Sequence, residues 1–374
     1  MTKLEQLIKE LCPDGVEIRS LENCCNILDR KRKPVTKSAR EAGEYPYYGA
    51  NGIQDYVSDY IFDGIFILVG EDGSVITSTG NPVVTWAEGK IWVNNHAHII
   101  EQNASGDVLL RYLFHYIQTI DVTPLIHGNI PKLTGGDFRA LQIPIPPLAV
   151  QREIVRILDN FTELTTELTT ELTARRKQYE YYRDALLTAS DNIEYQTLPE
   201  ISENLDRQRK PVTKGNREAG EYPYYGASGI VDYVSDYIFD GDYLLVSEDG
   251  ANLLARSTPI AFSISGKNWV NNHAHVLKFD TAIMQKYVEI YLNSIDLSKY
   301  ISGGAQPKLN QDNLNKIPIP VPPFNKVKII VAILEKFSAL CNDLTSGLPA
   351  EIEARKKQYE YYRDKLLTFQ EAKI

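Results

Sequence analysis

Two short cationic runs, RKRK at residues 30–33 and RQRK at residues 207–210, are the side chains of this 374-residue chain best suited to chemistry, and the task they suit is holding phosphate. Each run precedes the same aromatic block, EYPYYGA at residues 44–50 and 221–227, whose tyrosines could stack on bases or pack a core. Each copy then places two carboxylates after an apolar strand, Glu71 with Asp72 and Glu248 with Asp249. Two histidines follow at a spacing of two, His96 with His98 and His273 with His275. That spacing turns both rings to one face of a strand, as a metal would require, but no third ligand is apparent. A strand buried against its own module, or a polar face against nucleic acid, is the plainer reading. The carboxylates have no evident acid–base partner, and an Asp-Gly turn accounts for them.

The motifs of a self-contained enzyme are missing: no phosphate-binding P-loop, no HExxH and no nucleophile elbow occur. A methyltransferase acting on bases would need a glycine-rich cofactor loop and an Asn/Asp-Pro-Pro-aromatic loop. Asn81-Pro82-Val83-Val84 is a chance dipeptide beside that requirement. Cys12, Cys24, Cys25 and Cys341 form no CxxC pair and read as reduced structural thiols. The net charge of −9 argues mildly against nucleic acid, yet averages hide the local cations, and an acidic balance suits docking of basic partners. Hydrophobic residues make up 43% and charged ones 24%, and no apolar run approaches the roughly 18 residues of a membrane span. With no signal-like apolar stretch at the start, the expected location is the cytoplasm.

Positioning falls to a duplicated scaffold. Residues 28–64 and 205–241 differ at five positions, Asp29 standing 177 places before Asp206, and the same offset carries GKIWVNNHAH (89–98) onto GKNWVNNHAH (266–275). Between these anchors GSVITSTGNPVVTWAE has little in common with GANLLARSTPIAFSIS. A constant frame with a divergent interior suggests two copies of one scaffold, each with its own contact surface. PKL recurs at 131–133 and 307–309, and IPIPPL (143–148) recurs as IPVPPF (319–324). Short β-branched and aromatic runs between Gly, Asn and Asp predict two mostly-β modules, each with one short helix near residues 109–118 or 284–293. Candidate nucleic-acid contacts in the first module are Arg30, Lys31, Arg32, Lys33, Tyr47, Tyr48, Asn51, Ser74, Thr77, Ser78, Thr79, Lys90, Asn94, Asn95, His96 and Lys132. In the second they are Arg207, Gln208, Arg209, Lys210, Tyr224, Tyr225, Ser228, Asn252, Arg256, Ser257, Lys267, Asn271, Asn272, His273 and Lys308. Base readout is expected from the divergent segments 73–90 and 250–267, with the basic runs, Lys132 and Lys308 on phosphates.

After each module the periodicity changes. Val150, Ile154, Ile157, Phe161, Leu164, Leu168, Leu172, Tyr179, Tyr182 and Leu186 follow heptad-like steps through three tandem TELT tetrapeptides at residues 162–173. Successive steps of four at the array are a stutter. A matching seam, Phe337, Leu340, Leu344, Leu348, Ile352, Tyr359, Tyr362 and Leu366, is its natural partner in an antiparallel coiled coil. Ser346-Gly347-Leu348-Pro349 should kink the second helix, which holds four extra residues relative to the first. The expected fold is thus α+β, with a pseudo-twofold, cyclic repeat. Its parts are an N-terminal helix (1–12) in the place that follows a long helix, a module (13–147), a spacer helix (148–190), a second module (191–323) and a second spacer helix (324–374, kinked near 346–349).

Through EYPYYGANGI, DYIFDG, WVNNHAH, PKL, IPIPPL followed by Gln151-Arg152-Glu153-Ile154-Val155, and EARKKQYEYYRDKLL, the chain resembles the specificity (S) subunit of type I restriction-modification systems over nearly its whole length. The resemblance implies two target recognition domains, each reading half of a split site in double-stranded DNA, held apart by antiparallel helices. It implies a non-catalytic chain that docks two modification subunits and, around that core, restriction subunits. S-adenosylmethionine, ATP and Mg would reside on those partners, with no cofactor or metal in this chain and no membrane contact. It also implies that the TELT array tunes spacer length. From another class, a tandem β-module scaffold binding proteins or glycans would explain the acidity without DNA; a complete methyltransferase is disfavoured by the missing motifs.

Overall fold

The computed structural model describes residues 2–73, 75–188, 193–303 and 306–372. Among them are six helices of eight or more residues: α1 (Lys3–Leu11), α2 (Leu110–Ile117), α3 (Leu148–Thr188), α4 (Ala282–Ser294), α5 (Phe324–Asn342) and α6 (Leu348–Leu366). The chain divides into two compact units, Met1–Thr169 with Glu351–Ile374, and Thr170–Ala350. One division therefore falls inside the TELT array, the other in the first turn of α6.

In the first unit β1 (Cys25–Ile27), β2 (Ala42–Gly49), β3 (Gly52–Val57), β4 (Phe62–Gly70), β5 (Val84–Val93) and β6 (Ala97–Gln102) form one mixed sheet in the order β1-β6-β4-β5-β2-β3. The unbroken apolar run of β4 follows from burial on both faces. Ile67 and Val69 pack with Tyr112, Leu133, Phe138 and Leu158, while Phe66 and Leu68 pack with Ile91 and Ile99 on the other side. A short hairpin, β7 (Ile126–His127) with β8 (Lys132–Leu133), stands beside this sheet. The helix α1 carries a Thr2/Glu5 capping box, and Lys3 is ion-paired with Glu153 of α3 at 2.9 Å. Val16 runs parallel to Glu371, so both ends of the chain are fastened into this unit.

The second unit repeats the plan with β9 (Glu203–Asn204), β10 (Ala219–Gly226), β11 (Gly229–Val234), β12 (Phe239–Asp240), β13 (Tyr243–Ser247), β14 (Ala261–Ile264), β15 (Lys267–Val270) and β16 (Ala274–Lys278). Here the sheet separates into β9-β16-β13-β14 and β11-β10-β15-β12, because the counterparts of β4 and β5 are interrupted at Gly241-Asp242 and Ser265-Gly266. Gly266 has φ +74°, a left-handed conformation that glycine supplies without strain.

In each unit the beginning of one long helix packs against the end of the other. Phe161 stacks on Tyr362 with ring centroids 5.4 Å apart in the first unit, and the equivalent pair in the second is Phe337 against Tyr182 at 6.0 Å. The α+β class and the paired long helices thus hold. The seam itself needs correction. Ile154 and Ile352 are buried, Ile157, Phe161, Leu164, Leu168, Leu172, Tyr179, Leu186, Phe337, Leu348, Tyr359 and Leu366 are half-buried, and Tyr182 and Tyr362 are more open, at 41% and 39% exposed. Leu158, outside the expected seam, is fully buried. Leu340 is exposed and Leu344 is 80% exposed, because the second rod is two helices. Between α5 and α6, Asp343 accepts hydrogen bonds from Thr345 and Ser346, and Gly347 comes so close that a Cβ there would stand 2.6 Å from the Ala339 carbonyl oxygen. The break puts Leu344 on the outside and Cys341 on the inside.

This difference is measurable by chemical unfolding of the full chain. Leu334→Ala, at a fully buried α5 position, is expected to cost about 2–5 kcal/mol. Leu344→Ala is expected to stay within about 0.5 kcal/mol of wild type; an equal loss at both would restore the continuous seam.

Candidate nucleic-acid interface

The recurring blocks LDR, EDG, HAH and PKL are distant in sequence, yet in each unit they meet in one charge cluster. In the first, Asp29 accepts a hydrogen bond from the Ile99 amide at 3.0 Å and lies 2.7 Å from His98 Nδ1. His98, 1% exposed, stacks on Phe138 at 4.2 Å and reaches the Leu133 carbonyl through Nε2 at 3.0 Å. Arg32 donates to Glu71 and to the Ala97 carbonyl, both at 2.6 Å, and Lys132 pairs with the other Glu71 oxygen at 3.2 Å. The second unit repeats the set with Asp206, His275, Arg209, Glu248 and Lys308: Asp206 to His275 at 2.6 Å, Arg209 to Glu248 at 2.7 Å and Lys308 to Glu248 at 3.1 Å. Burial alone would raise the Asp29 and Asp206 carboxyls, but the histidine, the arginine and an amide outweigh it and hold both below the usual carboxylate range. Glu248 is lowered in the same way, against burial, by Arg209, His275 and Lys308.

Asp29, Glu71 and His98 offer atoms within 4.8 Å of one another, as do Asp206, Glu248 and His275. That is a spacing a metal could use, and it escapes the sequence because the partners lie far apart in the chain. The carboxylates, however, already hold Arg32 with Lys132, and Arg209 with Lys308, so a cation would enter a site whose negative charge is spent.

The cluster fixes what stands around it. Residues 29–31 form a 3-10 turn that sends Arg32 inward and leaves Arg30, Lys31 and Lys33 exposed, with no side-chain partner among the described residues. The extended segment after the turn is held by Trp92, whose indole N–H donates to the Lys33 carbonyl at 2.7 Å. Tyr47 then clamps Val35: its hydroxyl accepts from the Val35 amide at 3.0 Å and donates to the Val35 carbonyl at 3.2 Å, with Arg40 lying 4.1 Å over its ring. Trp269, Tyr224 and Arg217 do the same around Lys210 and Val212.

Several residues stand differently from the sequence expectation. Arg32 and Arg209 are internal ion-pair members, and Lys132 and Lys308, half-exposed, are spent on glutamates. Tyr47 and Tyr224 are 1% exposed and Tyr48 is buried, while Tyr225 is half-buried against Phe262. Asn94 and Asn271 are buried, each accepting the amide of the histidine two residues on. Among the groups that remain on the surface are Arg30, Lys31, Lys33, Asn51, Asn95 and His96 in one module and Arg207, Gln208, Lys210, Ser228, Asn272 and His273 in the other. The exposed histidines are each held to an aspartate, His96 to Asp72 and His273 to Asp249 at 2.9 Å.

These groups belong to loops bonded to one another: Asn94 N–H to the Tyr48 carbonyl, Glu71 N–H to His96 and Gly73 N–H to Pro131. The second unit has the same bonds from Asn271 to Tyr225, Glu248 to His273 and Gly250 to Pro307. The result in each module is a rim of loops with free cations along it. The divergent segment sits differently. Thr77, Ser78 and Thr79 are exposed, but Asn81 donates to the Ile120 carbonyl beyond α2, and Ser74 lies outside the described residues. In the second unit Arg256, the one non-glycine residue with positive φ among those described (51°), donates to the Leu292 and Ile295 carbonyls at the end of α4, with Asn252 and Ser257 bonded to each other beside it. Lys90 lies 4.7 Å over the Tyr60 ring and Lys267 4.6 Å over Tyr237.

Two copies of one α+β module on long paired helices, each with a cationic loop rim over a buried charge cluster, define a duplicated recognition protein. A model of the family described as Type I restriction modification DNA specificity domain matches residues 13–175 and again 190–354, and the chain belongs to this family. It is 37% identical to a putative type I restriction enzyme specificity subunit of Haemophilus influenzae, covering 98% of each chain. With the specificity subunit of the EcoR124I/EcoR124II type I restriction enzyme of Escherichia coli it shares 34% identity over 70% of this chain and 71% of that one. The fold is similar to the crystal structure of a type I S subunit from M. genitalium, with a TM-score of 0.59 at 17% identity, covering 94% of this chain and 96% of the other. Among the described residues no helix is long and apolar enough to cross a membrane.

Because folding lowers the Asp29 and Asp206 pKa values, their stabilisation is complete above the unfolded aspartate value of about 3.9 and is lost as pH falls through the lower folded values. Asp29→Asn leaves Arg32 and His98 facing a neutral group and is expected to cost about 3–5 kcal/mol near pH 7, a deficit that shrinks below about pH 4. Unfolding curves at both pH values check it; a deficit independent of pH would assign the loss to something other than charge.

Proposed function

We propose that the chain is the DNA-specificity subunit of a type I restriction-modification enzyme and reads a bipartite site in double-stranded DNA, one half with each module (13–147 and 191–323). The observation that carries this reading is the rim built twice on the same buried cluster, with Arg30, Lys31 and Lys33 in one copy and Arg207 and Lys210 in the other left free for phosphates. The chain itself does no chemistry. Two modification subunits dock on it and supply S-adenosylmethionine; restriction subunits supply ATP- and Mg-dependent cleavage, and the assembly works in the cytoplasm. Net acidity of −9 suits a chain that meets DNA together with partners.

The TELT array supports a role for α3 as spacer. One tetrapeptide adds about 6 Å of helix against about 3.4 Å per base pair, so each repeat changes the gap between half-sites by one or two base pairs. A protein-binding scaffold is favoured by one observation, the exposed Ile53 and Tyr56, and Ile230, Val231 and Tyr233, on equivalent hairpins. Docking of subunits accounts for these as well, and salt separates the readings, since only phosphate contacts impose a steep dependence.

Methylome sequencing of the host with and without the gene is expected to show loss of one split motif; no lost motif would remove this function. In the reconstituted complex, Lys31→Ala with Lys33→Ala is expected to weaken DNA binding uniformly across sequences and to flatten the log–log salt slope by about 2. Deleting one TELT is expected to shorten the gap and keep both half-sites, whereas changed half-site letters with an unchanged gap would overturn the spacer role.

A further inference from the structure

The geometry points to the tip of the β7–β8 hairpin, Asn129 and Ile130, as the part of the first module that reads base edges. This deepens the DNA-specificity reading and rests on it. The hairpin is a short two-stranded ribbon: Ile126 pairs with Leu133 and His127 with Lys132, and Gly128 takes φ +83° at the turn. Its base is held at three places, two of them on residues of the charge cluster and the third on the Asp-Gly loop beside it. Leu133 N–H donates to the Glu71 carbonyl, the Leu133 carbonyl faces His98 Nε2, and the Pro131 carbonyl accepts from Gly73 N–H. Its tip is tied to nothing. Ile130 is 70% exposed, among the most exposed large apolar side chains described, and the Asn129 amide has no hydrogen-bond partner among the described residues.

Three features set this tip apart from the divergent 77–81 segment. It shares Glu71 with Arg32, so it rises beside the 3-10 turn that exposes Arg30, Lys31 and Lys33. It differs between modules: in the second, Ser302 and Lys308 exchange reciprocal backbone bonds beside the equivalent glutamate, and the sequence between them reads GGAQP where the first has GNIP. The 77–81 segment, by contrast, is bonded to the chain beyond α2 through Asn81 and through Val122 N–H to the Gly80 carbonyl. A two-stranded ribbon fits the major groove; there an asparagine amide pairs with adenine N6 and N7, and an apolar side chain contacts the thymine methyl. Asn129 and Ile130 supply that pair of chemistries while the lysines hold the flanking phosphates.

The test uses the full chain in complex with its modification subunits and sequences the methylated DNA. Asn129→Ala and Ile130→Ala, at exposed positions, are expected to leave the unfolding midpoint unchanged and to relax an A·T preference in one half-site by about tenfold or more, sparing the other half-site and the gap. Thr77→Ala with Ser78→Ala and Thr79→Ala is expected to leave the motif intact. Replacing GNIP by GGAQP is expected to carry a letter of the second half-site into the first. An unaltered motif in the tip variants and the swap, or a loss of binding equal on all sequences, overturns the ribbon assignment while the specificity function stands. A wild-type complex that methylates no split motif overturns both.

Discussion

A buried carboxylate in each module, Asp29 or Asp206, holds its structure in register. Each ties the histidine and the following backbone amide of the HAH block to the arginine of its own turn, and through Arg32 and Glu71 or Arg209 and Glu248 the tie extends to the PKL lysine. Ionised groups are costly to bury, and a cluster of this kind is worth keeping only where every member has a partner and the geometry itself is needed. The need is visible in the elements that hang from it: the cationic 3-10 turn, the Asp-Gly loop, the exposed asparagine and the hairpin all leave the cluster within a few residues. A purely apolar core could pack these elements, but it would hold them without the directional bonds that the cluster supplies.

This arrangement reconciles the constancy of the frame with the divergence of the rest. The cluster residues recur unchanged in both copies, while the packing of each module on the long helices is solved differently. In the first unit Arg111 lies between the Trp86 and Phe114 rings, at 4.7 and 4.6 Å, and joins His115 on Asp159. In the second, Glu289 takes the place of the aromatic and hydrogen-bonds Ser263, and a cleft of about 880 Å³ stays open among Tyr179, Arg256, Lys286 and Leu334. The divergent 73–90 and 250–267 segments thus vary partly because they belong to this packing, and sequence divergence between copies is not by itself a sign of base contact.

That distinction sets how far the sequence could be read. Duplication, class and helix placement were legible, because repeats and periodicity are properties of the chain order. The roles of Arg32, Lys132 and Tyr47 were not. A basic run looks alike whether its third residue faces solvent or, as here, Glu71, and only the turn of residues 29–31 decides it. Likewise EYPYYG does not say which tyrosine is clamped on Val35. The hairpin was hidden for the opposite reason: two-residue strands and a four-residue turn leave no periodic signal, and the one available clue was that PKL recurs after unlike residues.

The TELT array imposes a limit of its own. A repeat of four residues on a helix of 3.6 per turn drifts by about 40° each time, so Leu164, Leu168 and Leu172 cannot share one line of contact. Half-burial of all three is the compromise the structure shows. The threonines ease it by satisfying themselves locally: Thr162, Thr165, Thr166 and Thr169 each donate to the carbonyl four residues back, which lets them face solvent or partner alike. A tetrapeptide tuned this way can be added or lost without breaking the helix. Every added repeat also turns the remainder of the helix by about 40° in addition to its roughly 6 Å of length, so only a few repeats fit before the leucines leave the seam.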